Sequence, residues 1–477
     1  MLLNIFRHYL DASPRLWPRL VHICRKWRHI VFTSQQALHL RLFCSFGTHV
    51  SKTLDCWPPL PIVLEYGGSP ALDPPSPNDE VNIISALKRS DRISSISLTV
   101  TTSLLDKLYA VERPFWELEV LILLSRDSLP LALPKTFLCG PRIRRLHLTR
   151  IRMPELLQLL HFFRDLEDLQ LHEALDPWCL SIEKLTDALS ELAQLQSISL
   201  HFSSTTYHVP PPSPPDRRVV LPALTSLKFR GRAKYLERLI LRMDAPRLGD
   251  IRVTLSDKFI YDLSWLGEFV DRIERHKSHH QARILFSDHT ISISLTQPGA
   301  PACFKLQLLS GLFSEQLFAM SHILPSFSAF LLSVEDLHIS VTQASSQEDS
   351  LHRERWLGLL ESFTGVKWLH LDVNDSADIV RALQSMYSWR KTVPPALFTP
   401  HLRHPRPLHA PLSEAIVSFM TSRCHSGYPI GACRISDLHR TGTSLHSLYH
   451  YLLNCLKQDL FLSRRQLIIR CSAMSSF

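Results

Sequence analysis

Residues Ile143–Leu148 read IRRLHL, and residues Leu166–Leu171, 23 positions later, read LEDLQL. In both, apolar residues stand at positions 1, 4 and 6. The template also fits ISSISL (Ile93, Ile96, Leu98) and LEVLIL (Leu118, Leu121, Leu123) upstream. Downstream it fits LQSISL (Leu195, Ile198, Leu200), LTSLKF (Leu224, Leu227, Phe229) and LGDIRV (Leu248, Ile251, Val253). These seven lines begin 25, 25, 23, 29, 29 and 24 residues apart, and VEDLHI (Val334, Leu337, Ile339) and VKWLHL (Val366, Leu369, Leu371) follow later. A short strand would turn positions 4 and 6 into a shared core, because alternate strand side chains face the same way. Between the lines lie PELLQLLHFFRDL (Pro154–Leu166) and SIEKLTDALSELAQL (Ser181–Leu195), whose apolar residues recur at i, i+3, i+4 and i+7 as in an amphipathic helix.

Strand, turn, helix and return, repeated at this length, predicts an α/β fold built as a solenoid, with strands on one face and helices on the other. An ordinary α/β domain with similar strands is the alternative. His147, Gln170, Ser199 and Lys228 alternate with the core leucines and are the candidate positions facing a bound partner. Their variety names no ligand class.

The rhythm changes between Arg283 and Gln307. That stretch reads as three strands with turn chemistry between them, QPGAP (Gln297–Pro301) included. It is a β-insertion near 282–310 or a distorted pair of repeats. His208–Pro222, HVPPPSPPDRRVVLP, is a loop insert, either solvated or a polyproline ligand of the SH3 type.

At the N-terminus, Leu20, Ile23, Cys24, Trp27 and Val31 fall at helical spacing and predict one apolar helix face. Cys24 lies on that face and is expected in the core. Leu2, Leu3, Ile5, Phe6 and Leu10 predict a second short helix, with the bend at DASPRLWP supplied by Ser13 and Pro14. Two or three helices in about forty residues bury little surface on their own and need a partner or the repeats to lean on.

The charge of +9 over 477 residues sits at the two ends. Residues 1–45 carry seven Lys/Arg against one acid, residues 387–477 eleven against three, and the 341 residues between them sum to −5. With no basic groove interleaved by aromatics, this composition argues against nucleic acid as a partner. The longest apolar run, LFAMSHILPSFSAFLLSV, is broken by Pro325 and by serines, so no membrane partner is expected. The N-terminus has no basic n-region or cleavage site of a signal peptide. Ten cysteines without a C-x-x-C pair point to a reduced, intracellular protein, cytoplasmic or nuclear.

Motifs of catalysis are missing: there is no G-x-S-x-G, H-E-x-x-H, Walker A or G-x-G-x-x-G sequence. Tyr66–Pro75, YGGSPALDPP, lacks a following GK[ST] and reads as a turn. His276, His279 and His280 in ERHKSHHQ stand at metal-sharing spacing, but without a nearby third ligand they read as a polar surface turn. His401, His404 and His409 are broken up by prolines. No catalytic residue, cofactor or metal is expected, and the chain is not read as an enzyme.

The repeat lines resemble the leucine-rich-repeat family in an irregular form. They depart from it at the turn after the strand, where the family prefers Asn or Cys. Here the residues are Arg126, Ile151, Ala174 and Ser203, and only Asn374 fits. The N-terminal residues resemble an F-box, with its L-x-x-I-F-x-x-L segment followed by a V-C-R-x-W-R core. Leu2, Ile5 and Phe6 match the first part, with Leu10 one position past its last leucine. Cys24, Arg25, Trp27 and Arg28 match the second, with Val21 two residues further upstream than its valine. With LDCWPPLPIVLEYGGSPALDP and the repeats behind it, the chain is similar to F-box proteins of mushroom-forming fungi. That likeness implies a substrate adaptor of a cullin–RING ubiquitin ligase. Leu2, Leu3, Ile5, Phe6, Leu10, Val21, Cys24 and Trp27 would meet a Skp-type adaptor, and the repeats would hold a protein substrate. A repeat scaffold without a ubiquitin role, its first helices serving as a cap, is the alternative. The family's L-P-x-E opening would precede Met1, which predicts a start codon upstream.

The domain reading is therefore 1–45 F-box, 46–60 linker, 61–386 repeats and 387–477 a poorly patterned segment. Arg390–Pro411, rich in proline and alanine and free of acids, reads as a misread frame or intron.

Overall fold

If the 1-4-6 lines are equivalent, Ile96, Leu121, Leu146, Leu169 and Ile198 must lie side by side in parallel strands. The computed structural model describes residues 1–66, 75–109, 114–127, 131–133, 140, 142–152, 156–173, 182–202, 218–257, 262–273, 279–297, 303–310, 312–342, 350–363, 365–366, 368–373, 399–403 and 434–436. It has that register. Ile96 pairs with Leu121, Leu121 with Leu146, Leu146 with Leu169, and Leu169 with Ile198. Two residues on, Leu98, Leu123, Leu148, Leu171 and Leu200 pair in the same way. All ten are buried, as are Ile93, Leu118, Ile143, Leu166 and Leu195 at the first position. Each such side chain contributes roughly 1.5–3 kcal/mol by leaving water.

The chain is mixed α/β and divides into two units. The first comprises Met1–Ser226 with Arg242–Ala245, the second Leu227–Leu241 with Pro246–Phe477. In the first unit, strands Leu42–Ser45, Ile62–Tyr66, Ile93–Val100, Val120–Ser125, Arg145–Thr149, Asp168–His172 and Ser197–His201 are neighbours in chain order, every pair parallel. The sheet thus begins at Leu42, inside the segment read as an F-box. The 46–60 stretch read as a linker carries a helix, Val50–Cys56, with Val50 buried. The connecting helices are shorter than the amphipathic pattern suggests, Leu156–Leu160 and Ile182–Ser190, because the chain turns back early to bury Phe163 and Leu192 beside the next strand.

Two strand ends lack the turn asparagine looked for in the sequence. Arg150 and Glu173 adopt left-handed backbone instead, with φ 55° and 51°. Such a conformation costs a non-glycine residue about 1–2 kcal/mol. It lets the Arg150 N–H donate to the His172 carbonyl and the Glu173 N–H to the His201 carbonyl, both at 2.8 Å. Arg150 Nε also donates to Glu173 Oε2 at 2.9 Å. Ile151, at the family's asparagine position, is buried. Ala174, Ser203 and Asn374 lie outside the described residues.

In the second unit, strands Ser226–Gly231 and Asp250–Leu255 are neighbours, and Phe304–Leu309 pairs parallel with the latter. The three strands read near 282–310 are Gln281–Ser287, Thr290–Thr296 and Phe304–Leu309. They pair antiparallel among themselves, and Gln281–Ser287 returns to parallel pairing with Asp336–Val341. Buried Gln316 holds this excursion, its Nε2 donating to the carbonyls of Ser287 (2.8 Å) and Ser310 (2.9 Å). Strands Trp368–Val373, Thr399–Arg403 and Arg434–Ser436 continue the parallel order. The last two lie within the 387–477 segment. Among the described residues no helix is long and apolar enough to cross a membrane.

Candidate functional site

The N-terminal module has three helices, α1 (Leu2–Ala12), α2 (Trp17–Ile23) and α3 (Arg25–Thr33). The continuous helix face expected from Leu20 to Val31 is interrupted. Cys24 is extended (φ −157°, ψ 166°) and caps α3, its Sγ accepting from the Trp27 N–H at 3.5 Å. Arg28 Nε donates to the Val21 carbonyl at 3.0 Å, occupying an acceptor that the end of α2 leaves open. The break turns Ile23 and Cys24 outward, so Cys24 is exposed rather than in the core.

The eight candidate adaptor contacts accordingly divide. Phe6, Leu10 and Val21 are buried and fill the module's own interior, with the Phe6 and Trp27 rings edge to face at 4.7 Å. They are core rather than contact residues, because three helices packed on one another need some apolar filling. Leu2, Leu3 and Trp27 are half-buried. Ile5 and Cys24 face solvent, joined by Ile23, which the sequence reading placed inside; Ile5 is 53% and Ile23 58% exposed.

The module overhangs the side of the first unit's sheet that carries the residues alternating with the core. A cleft of about 680 Å³ lies beneath it, between Arg7, Asp11 and His39 on one side and Ser97, Ile122 and Arg145 on the other. Arg15 forms an ion pair with Glu65 and lies over the Phe43 ring at 5.4 Å.

Register also fixes the candidate substrate-facing positions. Ser97, Ile122, His147, Gln170 and Ser199 form one row across five strands. His147 and Gln170 are half-buried and Lys228 is exposed. Ser199 is buried, a correction, because its short side chain lies beneath His172, whose Nε2 is 2.9 Å from Ser199 Oγ. One row over, Asp168 accepts from His147 Nε2 at 2.6 Å and from Gln170 Nε2 at 3.2 Å. Burial raises the Asp168 pKa, but the hydrogen bond and charge of His147, with hydrogen bonds from Gln170 and Ser197, outweigh it and hold the carboxyl below its ordinary value.

A depressed carboxylate stabilises the fold above its unfolded pKa, and the contribution fades as pH falls through the lower folded value. Asp168→Asn is therefore expected to cost about 1 kcal/mol at pH 7. The gap should narrow below about pH 4. Urea unfolding of both proteins at pH 7 and pH 3 checks this; a gap that widens in acid would refute it.

Of the histidines with metal-like spacing, His276 lies outside the described residues and His279 is buried, not on a polar surface turn. Its ring packs near Phe330 (6.2 Å) and its Nδ1 is 3.4 Å from Cys303 Sγ. Burial pushes the Cys303 thiol above its ordinary pKa, the opposite of what an activated nucleophile needs. Among the described residues no three His, Cys, Asp or Glu side chains stand together as metal ligands. No protein-family model matches this sequence, and no curated protein matches it at a significant level.

Proposed function

We propose that this chain is the substrate-recognition subunit of a cullin–RING ubiquitin ligase. Helices α1–α3 dock on a Skp-type adaptor. An irregular leucine-rich-repeat solenoid holds a protein substrate, and ubiquitin transfer takes place elsewhere in the assembly. The observation that carries this reading is the exposure of Ile5 and Ile23 on helices whose interior is already filled by Phe6, Leu10 and Val21. Large apolar side chains left outward on adjoining helices suit a partner surface, and helical docking uses such anchors. The in-register strand lines support the solenoid.

The test is recovery of a purified Skp-type adaptor by the full chain. Wild type is expected to retain it, and Ile5→Asp combined with Ile23→Asp to weaken retention at least about tenfold. Both positions are exposed, so the unfolding midpoint should stay put. Failure of the wild type to retain the adaptor would leave the second reading, a repeat scaffold capped by its first helices. The hydrogen bond from Trp17 Nε1 to the Arg41 carbonyl, which ties α2 to the start of the first strand, favours that reading.

A further inference from the structure

In the second unit, strand register assembles a row that no single stretch of sequence contains. Arg252 pairs with Lys305, Lys305 with Ser294, Ser294 with Arg283, Arg283 with His338, and His338 with His370. Directly paired residues point to the same side of a sheet, here the side opposite buried Ile251, Leu306, Ile284 and Ile339. Arg252, Lys305 and Arg283 are exposed, and the His338 and His370 rings stack at 3.9 Å and 2°. Among the described residues Lys305 and Arg283 have no ion-pair partner. The nearest acids stand one row away, toward the two ends of the stripe: Asp250 pairs with Arg252 at 3.0 Å, Asp336 is two residues before His338, and Asp372 is two residues after His370. The row on the other side runs Thr254, Gln307, Ser292, Leu285, Ser340 and Asp372: three hydroxyls, an amide, one leucine and, at the end, an acid. Lys228 and Arg230 add two exposed cations on the Ser226–Gly231 strand.

We infer that this row is a docking stripe for an acidic, extended segment of a partner protein, laid across the strands. Five strand spacings of ~4.8 Å make the stripe about 24 Å long, the reach of about seven extended residues. Lys305 and Arg283, without ion-pair partners among the described residues and set between the acids at the two ends, complement carboxylates. The one leucine of the flanking row, Leu285, makes no apolar trough for a greasy ligand. Single-stranded nucleic acid would want successive aromatic platforms. The described face offers one exposed tryptophan, Trp368, at its end. The inference deepens the reading that the repeat face receives a substrate, by naming the substrate's chemistry.

The test uses the full chain with a fluorescein-labelled decaglutamate peptide as probe, and a thymidine decanucleotide as the competing class. Wild type is expected to bind the peptide, more weakly as salt rises. Lys305→Glu with Arg283→Glu should lower its affinity at least about tenfold. The unfolding midpoint and adaptor retention of that variant should match wild type. Absence of peptide binding by wild type, or binding indifferent to the charge reversal, would overturn the inference. So would tighter binding of the oligonucleotide with the same charge dependence. Peptide binding that behaves as expected while wild type fails to retain the adaptor would remove the ligase reading and leave the acidic stripe standing.

Discussion

Gly267→Ala is expected to destabilise the second unit by about 3 kcal/mol, although alanine is the better helix former. Gly267 lies inside the helix Ser264–Asp271, where propensity alone would favour alanine by about 1 kcal/mol. The added methyl, however, would lie 2.1 Å from the Ser326 carbonyl oxygen and 3.2 Å from its carbon. Both atoms are backbone, in the turn Leu324–Phe327 that contains Pro325, so no rotamer change relieves the overlap. Helix and turn must separate, and buried Leu266, Phe269 and Phe327 lose contacts with them. Gly358, in the helix Ser350–Glu361, supplies the control. Its methyl would meet Ser321 Cβ at 3.5 Å, an ordinary contact, so Gly358→Ala should be neutral or stabilising by up to about 1 kcal/mol. Urea unfolding of the two variants reads the difference. If both raise stability, the close approach of the helix to the Ser326 carbonyl does not hold the packing.

A methyl added at Gly140 or Gly365 would likewise lie 2.2 Å from a backbone carbonyl oxygen, that of Phe115 or of Leu332. Gly140 stands three residues before Ile143, as Phe115 does before Leu118. The contact therefore sits at one fixed place between two successive lines. Nothing in the sequence marks it, since a glycine before a strand is ordinary turn chemistry.

What was legible follows from local periodicity. The 1-4-6 lines gave the strand register because positions 4 and 6 both need burial and a slip of one residue would expose them. The first two strands escaped because Arg41 and Pro61 stand three residues before Cys44 and Leu64, where later lines carry Ile, Leu or Val. The break at Cys24 was hidden by apolar spacing that runs unchanged across it. The basic row was legible only in part, at Arg252, His338 and His370 in position 5 of their lines. Lys228 and Arg252 stand at position 5 of template lines, but Arg283 and Lys305 join Arg252 only through an antiparallel excursion that reverses strand direction twice.

Trp17→Ala is the second change with a large expected effect, and it asks what holds the N-terminal helices in place. Trp17 is 2% exposed, and its Nε1 donates to the Arg41 carbonyl at 2.8 Å, one residue before the strand Leu42–Ser45 begins. Its ring meets Trp57 edge to face at 4.7 Å and Phe32 at 6.3 Å. One side chain thus joins α2, α3 and Trp57, just past the helix Val50–Cys56, to the start of the first strand. Truncation to alanine should cost about 3–5 kcal/mol. Trp17→Phe keeps most of the ring but leaves the Arg41 carbonyl without this donor, and should cost about 1–3 kcal/mol. Where that loss falls is the informative part. Three short helices bury too little to stand alone. In hydrogen exchange, Trp17→Ala should therefore expose the amides of α1–α3, while the strands from Ile93 to His201, held by their own register, keep their protection. Retained protection in α1–α3 would refute the anchoring role. Loss along the strands as well would make helices and sheet one cooperative unit. With the expected pattern, the proposed adaptor binding should fall in Trp17→Ala although Ile5 and Ile23 are intact, because a docking surface spread over α1 and α2 would hold a partner only while the two helices keep their relative positions.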